Sequence, residues 1–495
     1  MTVPMTGSPA VQLAPAELPD TQRKLPWKRA GMLMAVTFSG LQMLNEVGAM
    51  MAIPLYQSMS MDLGLTPSQV SWALLATLLM GAASIALLSK AGDVFGHRKV
   101  MIICIAGIFV GYVMSALATD FTVLVIGRAL TGIMAGQALV VGIMNDRLSN
   151  FDRKKAIGII AGGQAVGVTL GFGVGGLMVV VGATWRHAFW IGAALTVLSM
   201  VGMLLWGSDS DATERNRGKS KRIDVAGVTL LGFSLTAICI GLSQSPAWGF
   251  TSPATLTWVI AGVVGLGLAL FAESRSKQPL VDISLLLSSR LMPAYAVFVT
   301  LGIAGIMMFN FVMGWALTPA ELAGYGFGLN PLTAGFLFIP MTVAGIGVST
   351  VIPRLLHRIP PRGPLAAGAF LLMLSFVWLY FMHTQLWAVV VGILFYGIAY
   401  TTVLTIAVSV IAAEAPAGKG AGTASIYVGI ALSASAIGTA VYAAIIGLNT
   451  TPAAPLPPAE NYATGFLTAA IVSVVAIIAA FALSKRVHLT EVASH

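Results

Sequence analysis

Glu46 and Arg128 are the residues of this chain whose type and position could do chemistry. Glu46 is the one acid deep in any of the long apolar runs, and Arg128 is the one base so placed. A charge at the centre of a membrane helix costs about 2.5–3.5 kcal/mol on insertion scales, so such residues face a protein interior or a wet cavity. Ser39, Gln42 and Glu46 fall at i, i+3 and i+7, a polar stripe on one helical face. The run holding Glu46 leads outward and the run holding Arg128 leads inward. At about 1.5 Å per residue, both side chains land just outward of the bilayer centre. Two chemistries are open to them. They can form a permanent ion pair, or the Glu46 carboxyl can exchange its proton against a cationic substrate or Arg128.

Enzymatic chemistry has no constellation here. It would need paired acids, a histidine cluster or a nucleophile beside a base at one depth. His97, His357 and His488 fall in inner segments instead, and His187 and His383 near the outer face. No G-x-x-x-x-G-K-S/T loop is present to hold a nucleotide. Charge rings and re-entrant filter segments, the marks of a channel, are also missing. Neither a cofactor nor a metal site is expected. Cys104 and Cys239 both lie within apolar runs and imply no disulfide framework.

The elements that position Glu46 and Arg128 are membrane spans. The 495 residues are 57% hydrophobic and only 9% charged, with a mean hydropathy of +0.89. Soluble domains carry about 25% charged residues. A spanning helix needs roughly 20 apolar residues. Fourteen such runs begin near residues 31, 68, 100, 121, 156, 187, 224, 254, 292, 332, 364, 386, 423 and 463. Their apolar residues cover nearly every face, which excludes the alternation of a β-barrel. With the N-terminus inside, the bases collect in inward-facing segments, among them Arg23, Lys28, Arg98, Lys99, Arg153, Arg222, Arg354, Arg358 and Arg486. The positive-inside rule then places both termini in the cytoplasm. The net charge of +9 is therefore a topology signal, and its scatter over short loops gives no surface for a nucleic acid.

The most compact charged feature is the loop Ala91–Lys99, clamped between the second and third runs. Gly92 and Gly96 let the backbone turn within a few residues. Asp93, Arg98 and Lys99 could then lock neighbouring helix ends together on the inner side. A weak internal repeat accompanies it. Gly64-Leu65-Thr66-Pro67 recurs as Gly328-Leu329-Asn330-Pro331, each time just outside the membrane and leading into an inward-running span. Parallel repeats of this kind mark carriers built from two similar halves. The expected organisation is a cytosolic tail over 1–29, a six-helix bundle over 30–206, a charged linker with two inserted helices over 207–291, a second six-helix bundle over 292–484, and a tail over 485–495.

Several motifs resemble the major facilitator superfamily, specifically its fourteen-helix drug:proton antiporter branch. Gly92-Asp93-x-x-Gly96-His97-Arg98-Lys99 is similar to the family's loop between helices two and three. Arg128-Ala129-Leu130-Thr131-Gly132 resembles R-x-x-Q-G, with Thr131 in place of Gln. Gly167-x-x-x-Gly171-Phe172-x-x-Gly175-Gly176 looks like the antiporter signature G-x-x-x-G-P-x-x-G-G, with Phe172 in place of Pro. Trp185-Arg186-His187-Ala188-Phe189 looks like W-R-W-x-F. The branch usually carries an acid nine residues before a proline of the first helix. Asn45 holds that place here, counted from Pro54, and Glu46 follows it, turned by roughly 100°.

The resemblance implies an all-α integral membrane fold of two six-helix bundles plus two inserted helices. It implies proton antiport by alternating access, with the proton-motive force as energy source and no cofactor. The partners would be protons, the lipid bilayer and a small amphipathic substrate, handled by a monomer in the plasma (inner) membrane. Under this reading Glu46 and Arg128 couple the proton, and Gly167, Gly171, Gly175 and Gly176 pack the antiporter-like helix. Gln42, Asn45, Asn310, Trp315 and Tyr400 would line the cavity, since aromatic walls with few fixed polar groups suit bulky amphipathic molecules. A dedicated exporter of one metabolite or self-made antibiotic, or a transport-dead receptor, are the alternatives.

Overall fold

Within a bilayer every backbone N–H and C=O needs an internal partner, which leaves apolar runs of this length little choice but the helix. The computed structural model describes residues 31–133, 150–206, 225–275, 286–356, 358–414, 420–450 and 456–483, without some side chains inside helices, that of Asp93 among them. The expected tails and the charged segment 207–223 lie outside the described residues. All regular structure among the described residues is helical.

In chain order the elements are α1 (Met32–Met50), α2 (Tyr56–Leu63), α3 (Pro67–Val70), α4 (Trp72–Phe95), α5 (His97–Ala116) and α6 (Phe121–Thr131). Then come α7 (Asn150–Val180), α8 (Trp185–Trp206), α9 (Val225–Trp248), α10 (Pro253–Arg275), α11 (Met292–Leu317) and α12 (Ala320–Ala323). The last are α13 (Pro331–Phe336), α14 (Ile339–Leu356), α15 (Arg362–Met382), α16 (Leu386–Glu414), α17 (Gly420–Ile446) and α18 (Ala459–Ala482). Ten helices among the described residues are long and apolar enough to cross a membrane, and the described stretches Trp72–Ile85, Phe121–Thr131 and Val166–Val180 are shorter apolar helices.

The sequence repeat is a repeated way of starting a helix. Gly64 and Gly328 both take positive φ, +63° and +59°, which favours glycine. A polar cap and a proline follow each. Thr66 and Gln69 form a reciprocal capping box, with Gln69 N donating to Thr66 Oγ1 at 3.2 Å and Thr66 N donating to Gln69 Oε1 at 2.9 Å. Asn330 Oδ1 accepts from Thr333 N at 2.9 Å, with Pro331 at the first helical position.

Small residues set the packing inside each group of helices. α1 lies along α7, and α5 along α6 and α8. In α7, Gly163, Gly167, Gly171 and Gly175 recur every fourth residue and face α1. A methyl group at Gly167 would sit 2.6 Å from the Met43 carbonyl oxygen, and one at Gly175 2.4 Å from that of Met51. In the later part of the chain, α11 packs on α17 and α18, and α15 on α16 and α18. There a methyl at Gly302 would meet the Ala431 carbonyl oxygen at 2.6 Å, and one at Gly438 that of Ile303 at 2.8 Å. Membrane helices lack a hydrophobic drive to associate, so this backbone proximity is the main source of their attraction.

Gly171→Val should therefore separate α1 from α7, because its Cβ would fall 2.8 Å from Met50 Cβ. In detergent the unfolding midpoint should drop by several degrees or the protein should fail to accumulate. Gly173→Ala, with nothing within 4 Å, should be neutral or raise stability by up to about 1 kcal/mol through helix propensity.

Candidate functional site

Glu46 sits where α1 and α7 touch, with its Cβ 2.9 Å from where a methyl on Gly167 would lie. The absence of a side chain at Gly167 is what makes room for it. Half-buried, Glu46 lies within electrostatic reach of Tyr400 on α16. One carboxylate thus faces both groups of helices. Tyr400 lies beside Tyr396, with ring centroids 5.5 Å apart, and a methyl at Gly305 of α11 would meet the Tyr396 hydroxyl at 3.2 Å. The Tyr396 hydroxyl is buried and has no hydrogen-bond partner. The result is an acid near one phenol, which itself packs on a second, in apolar surroundings, a setting that can hold a proton or an organic cation.

From this level to the end remote from the basic loops, here the outer end, the two groups are closed on each other. Thr169 of α7 shares a 2.8 Å hydrogen bond with Thr342 of α14. Phe172 of α7 stacks on Phe338 at 4.6 Å and 17°, and tilts against Phe309 of α11 at 5.6 Å. Further out, a methyl at Gly176 would lie 2.5 Å from Leu332 N at the start of α13.

Arg128 is fully buried and built into backbone. Its Nε donates to the Ala73 carbonyl of α4 at 2.5 Å, and its Nη2 to the Gly48 carbonyl of α1 at 3.0 Å. The guanidinium lies 5.4 Å from the Phe189 ring of α8, with the Tyr56 and Tyr112 phenols as electrostatic neighbours. Nη1 has no hydrogen-bond partner. The hydrogen bonds of Arg128 therefore go to carbonyls rather than to a carboxylate, which differs from the direct pair with Glu46 that was one of the two expectations.

The other expected residues divide between the seam and the interiors of the groups. Ser39 Oγ donates to the Ile159 carbonyl of α7 at 2.9 Å, on the same face as Glu46. Gln42 is buried and accepts from Asn45 Nδ2 at 3.3 Å. Asn45 lines a narrow crevice among α1, α5 and α8 with Tyr112, Thr196 and Ser199, away from α16. Asn310 is buried and donates to the Ile306 carbonyl of its own helix at 2.8 Å, with its Oδ1 unpartnered. Trp315 corrects the expectation that it shares a wall with Tyr400. It packs at the outer end against His383, Tyr325 and Tyr462, with centroids 4.4, 5.1 and 5.3 Å away. Six residues beyond Phe309, it points roughly 240° around α11 from the seam face.

In the basic loop, Gly96 takes φ +97° and joins α4 to α5 without a longer turn. Arg98 Nη2 donates to the Leu204 carbonyl of α8 at 3.1 Å, a lock between helix ends of one group. Gly92 is buried and Lys99 is exposed.

Two features escaped the sequence reading. In the sequence Phe172 reads only as a missing proline, yet its ring completes a three-ring cluster with Phe309 and Phe338, themselves 5.4 Å apart. Asp62, a lone acid in a short outer helix, clamps the W-R-H-A-F segment. It accepts from Trp185 Nε1 at 3.1 Å and from Arg186 Nη1 at 2.5 Å, while Arg186 Nη2 donates to the Ala118 carbonyl at 2.8 Å. The Arg186 hydrogen bond holds the Asp62 carboxyl below its ordinary value. Both partners are partly exposed, so the clamp is worth no more than about 1 kcal/mol. Because the folded pKa is the lower one, that stability is present above about pH 4 and is lost as pH falls through the folded value. Asp62→Asn should lower the unfolding midpoint slightly at pH 7, and in acid titrations the difference from wild type should shrink below about pH 4 and vanish below the depressed folded value.

Comparisons with known proteins agree with this architecture. The sequence profile described as the Major Facilitator Superfamily matches residues 38–439. The tetracenomycin C resistance and export protein of Streptomyces glaucescens is 28% identical over 439 residues, covering 86% of this chain and 76% of that protein. The multidrug resistance protein Stp of Mycobacterium tuberculosis is 28% identical over 377 residues, covering 75% of this chain and 66% of that protein. Among solved structures, the human organic anion transporter MFSD10 superposes with a TM-score of 0.62 at 16% identity, over 93% of this chain and all of that one. At that identity the likeness speaks for the fold alone.

Proposed function

This chain belongs to the Major Facilitator Superfamily, and from that premise, which makes it a secondary transporter and not an enzyme, we propose that it exports small hydrophobic or cationic compounds by proton antiport. The observation that carries the reading is the position of Glu46, an acid at the seam and within electrostatic reach of Tyr400 on the opposite group of helices. A carrier of two bundles, 30–206 and 292–484, would rock about this level, with both termini in the cytoplasm. In such a cycle a closed outer end belongs to the inward-facing state. There a proton or an organic cation occupies the carboxylate, and the phenols of Tyr396 and Tyr400 offer the cation a π face.

The energies suffice. One pH unit supplies about 1.4 kcal/mol, and 100 mV acting on one charge supplies about 2.3 kcal/mol. Exchange of one proton for one monovalent cation uses the pH term alone. Arg128 acts in this scheme as a fixed positive charge one helix away, which favours the ionised form of Glu46 once the proton leaves.

The test is rhodamine 6G efflux from proteoliposomes under an imposed pH gradient. Wild type should show gradient-dependent efflux, and Glu46→Gln should lose at least tenfold of it while keeping its elution profile and unfolding midpoint. Equal efflux in both would remove Glu46 from the mechanism. Arg128→Lys, with one compact charge unable to reach both carbonyls, should lower efflux and stability together. A carrier dedicated to one compound is the second reading, favoured by the single-compound relative from Streptomyces glaucescens. It would leave the dye untouched.

A further inference from the structure

The pair α9 and α10 takes no part in the site, yet it is placed where it touches both groups of helices. The two helices are welded to each other. A methyl at Gly262 would lie 2.7 Å from the Ser234 carbonyl oxygen, and one at Gly241 2.7 Å from Val259 Cγ2. Their turn is fixed by Gly249 at φ +92° and by Thr255 Oγ1 donating to the Gly249 carbonyl at 2.9 Å. The other face of α9 lies across α4 and α17. Toward the basic end, a methyl at Gly232 would meet Ala83 Cβ of α4 at 3.3 Å; toward the outer end, Pro246 packs on Gly447, just beyond α17. Between these points Leu235 and Cys239 are buried in the large core. α10 rests mainly on α9 and turns Ile260, Val263, Val264 and Phe271 outward.

A carrier of two groups has two seams open to the bilayer. One is α4 against α17, where Ile85 lies 3.5 Å from where a methyl on Gly429 would be. The other is α7 against α14, held by Thr169 and Thr342. The first carries two extra helices across it. On the second, Val343 and Ile346 of α14 stay exposed beside the Thr342 contact, with Ile346 one turn toward the basic end on the same face.

We propose that α9 and α10 close the α4–α17 seam to the bilayer, so that membrane-dissolved amphipathic substrates reach Glu46 only through the α7–α14 seam. The proposal rests on the transport reading above and adds the path of entry. It explains why an added hairpin lies across a seam instead of against the outer wall of one group. It also favours substrates that partition into lipid, since the free seam opens onto hydrocarbon rather than water.

The experiment is photolabelling of the intact protein in liposomes with a lipid-dissolved aryl diazirine, mapped by mass spectrometry, beside rhodamine 6G efflux. Adducts should appear on Val343, Ile346, Ile260 and Val263 at tenfold or more over Ala83. In Gly232→Leu, whose side chain forces α9 away from Ala83 of α4, labelling at Ala83 should rise severalfold. If that variant does not reach the membrane, Gly232→Ala gives a milder displacement, its Cβ meeting the Ala83 methyl at 3.3 Å. Ile346→Trp should slow efflux severalfold, and Ile260→Trp should not. Ala83 labelling equal to that of Ile346 with the hairpin intact would overturn the closure. Unchanged efflux by Ile346→Trp would overturn the entry path. If the unsubstituted protein moves no dye, the broad-substrate reading gives way to the dedicated carrier, and the Ala83 labelling still decides which seam is covered.

Discussion

The contact between α1 and α7 is the constraint on which the rest of the site depends. In a bilayer two apolar helices gain nothing by hiding from lipid, so they associate through close backbone approach and the dispersion contacts it permits. Four glycines at four-residue spacing give α7 a bare face, and α1 lies on it from Ser39 to Met51. That contact fixes the rotation of α1 about its axis, and so fixes where Glu46 points. It also fixes Phe172, one residue after Gly171, on the face of α7 that meets α11 and the start of α14. The glycines are thus a positioning device for the acid on one side and the aromatic seal on the other.

Arg128 shows why two buried charges need not be partners. Taking a guanidinium out of water is costly, and a full ion pair is only one way of offsetting it. Here two carbonyls, two phenols and the Phe189 ring share the task. The carbonyls belong to different helices, so the side chain ties α1, α4 and α6 together. A charge committed to three helices is fixed in place. Under the proposed proton coupling it would give a steady field at Glu46, which a mobile ion pair would not provide.

Much of this was legible in the sequence, and what was legible follows a pattern. Most starts of the long helices, read from apolar runs, fall within a few residues of those observed, because length and hydropathy bound them, while α7 begins at Asn150 and not near 156. The repeat was readable because glycine, a capping residue and proline each act locally. Side-chain direction was less accessible. Trp315 and Asn45 lie on the expected helices but face group interiors, since a run that is apolar on every side does not announce which face meets the seam. The partners of Arg128 are backbone atoms, which no residue type reveals. Asp62 is silent in the sequence because one acid in a short outer helix carries no signal until its partner Arg186, far along the chain, is brought beside it.

The replacement of proline by Phe172 bears on how firmly the outer end is closed. A proline inside α7 would remove a backbone hydrogen bond and invite a kink. Phenylalanine keeps the helix intact and adds ring contacts across the seam to Phe338 and Phe309. Each aromatic pair is worth about 0.5–1.5 kcal/mol beyond its buried area. Two such pairs come to about 1–3 kcal/mol, close to the 1.4 kcal/mol or so that one pH unit supplies per proton. A seal far weaker than that would leak between turnovers, and one far stronger would hold the carrier shut. Under the proposed antiport, rings stacked this firmly would let protonation of a single carboxylate tip the two groups of helices from one closed end to the other.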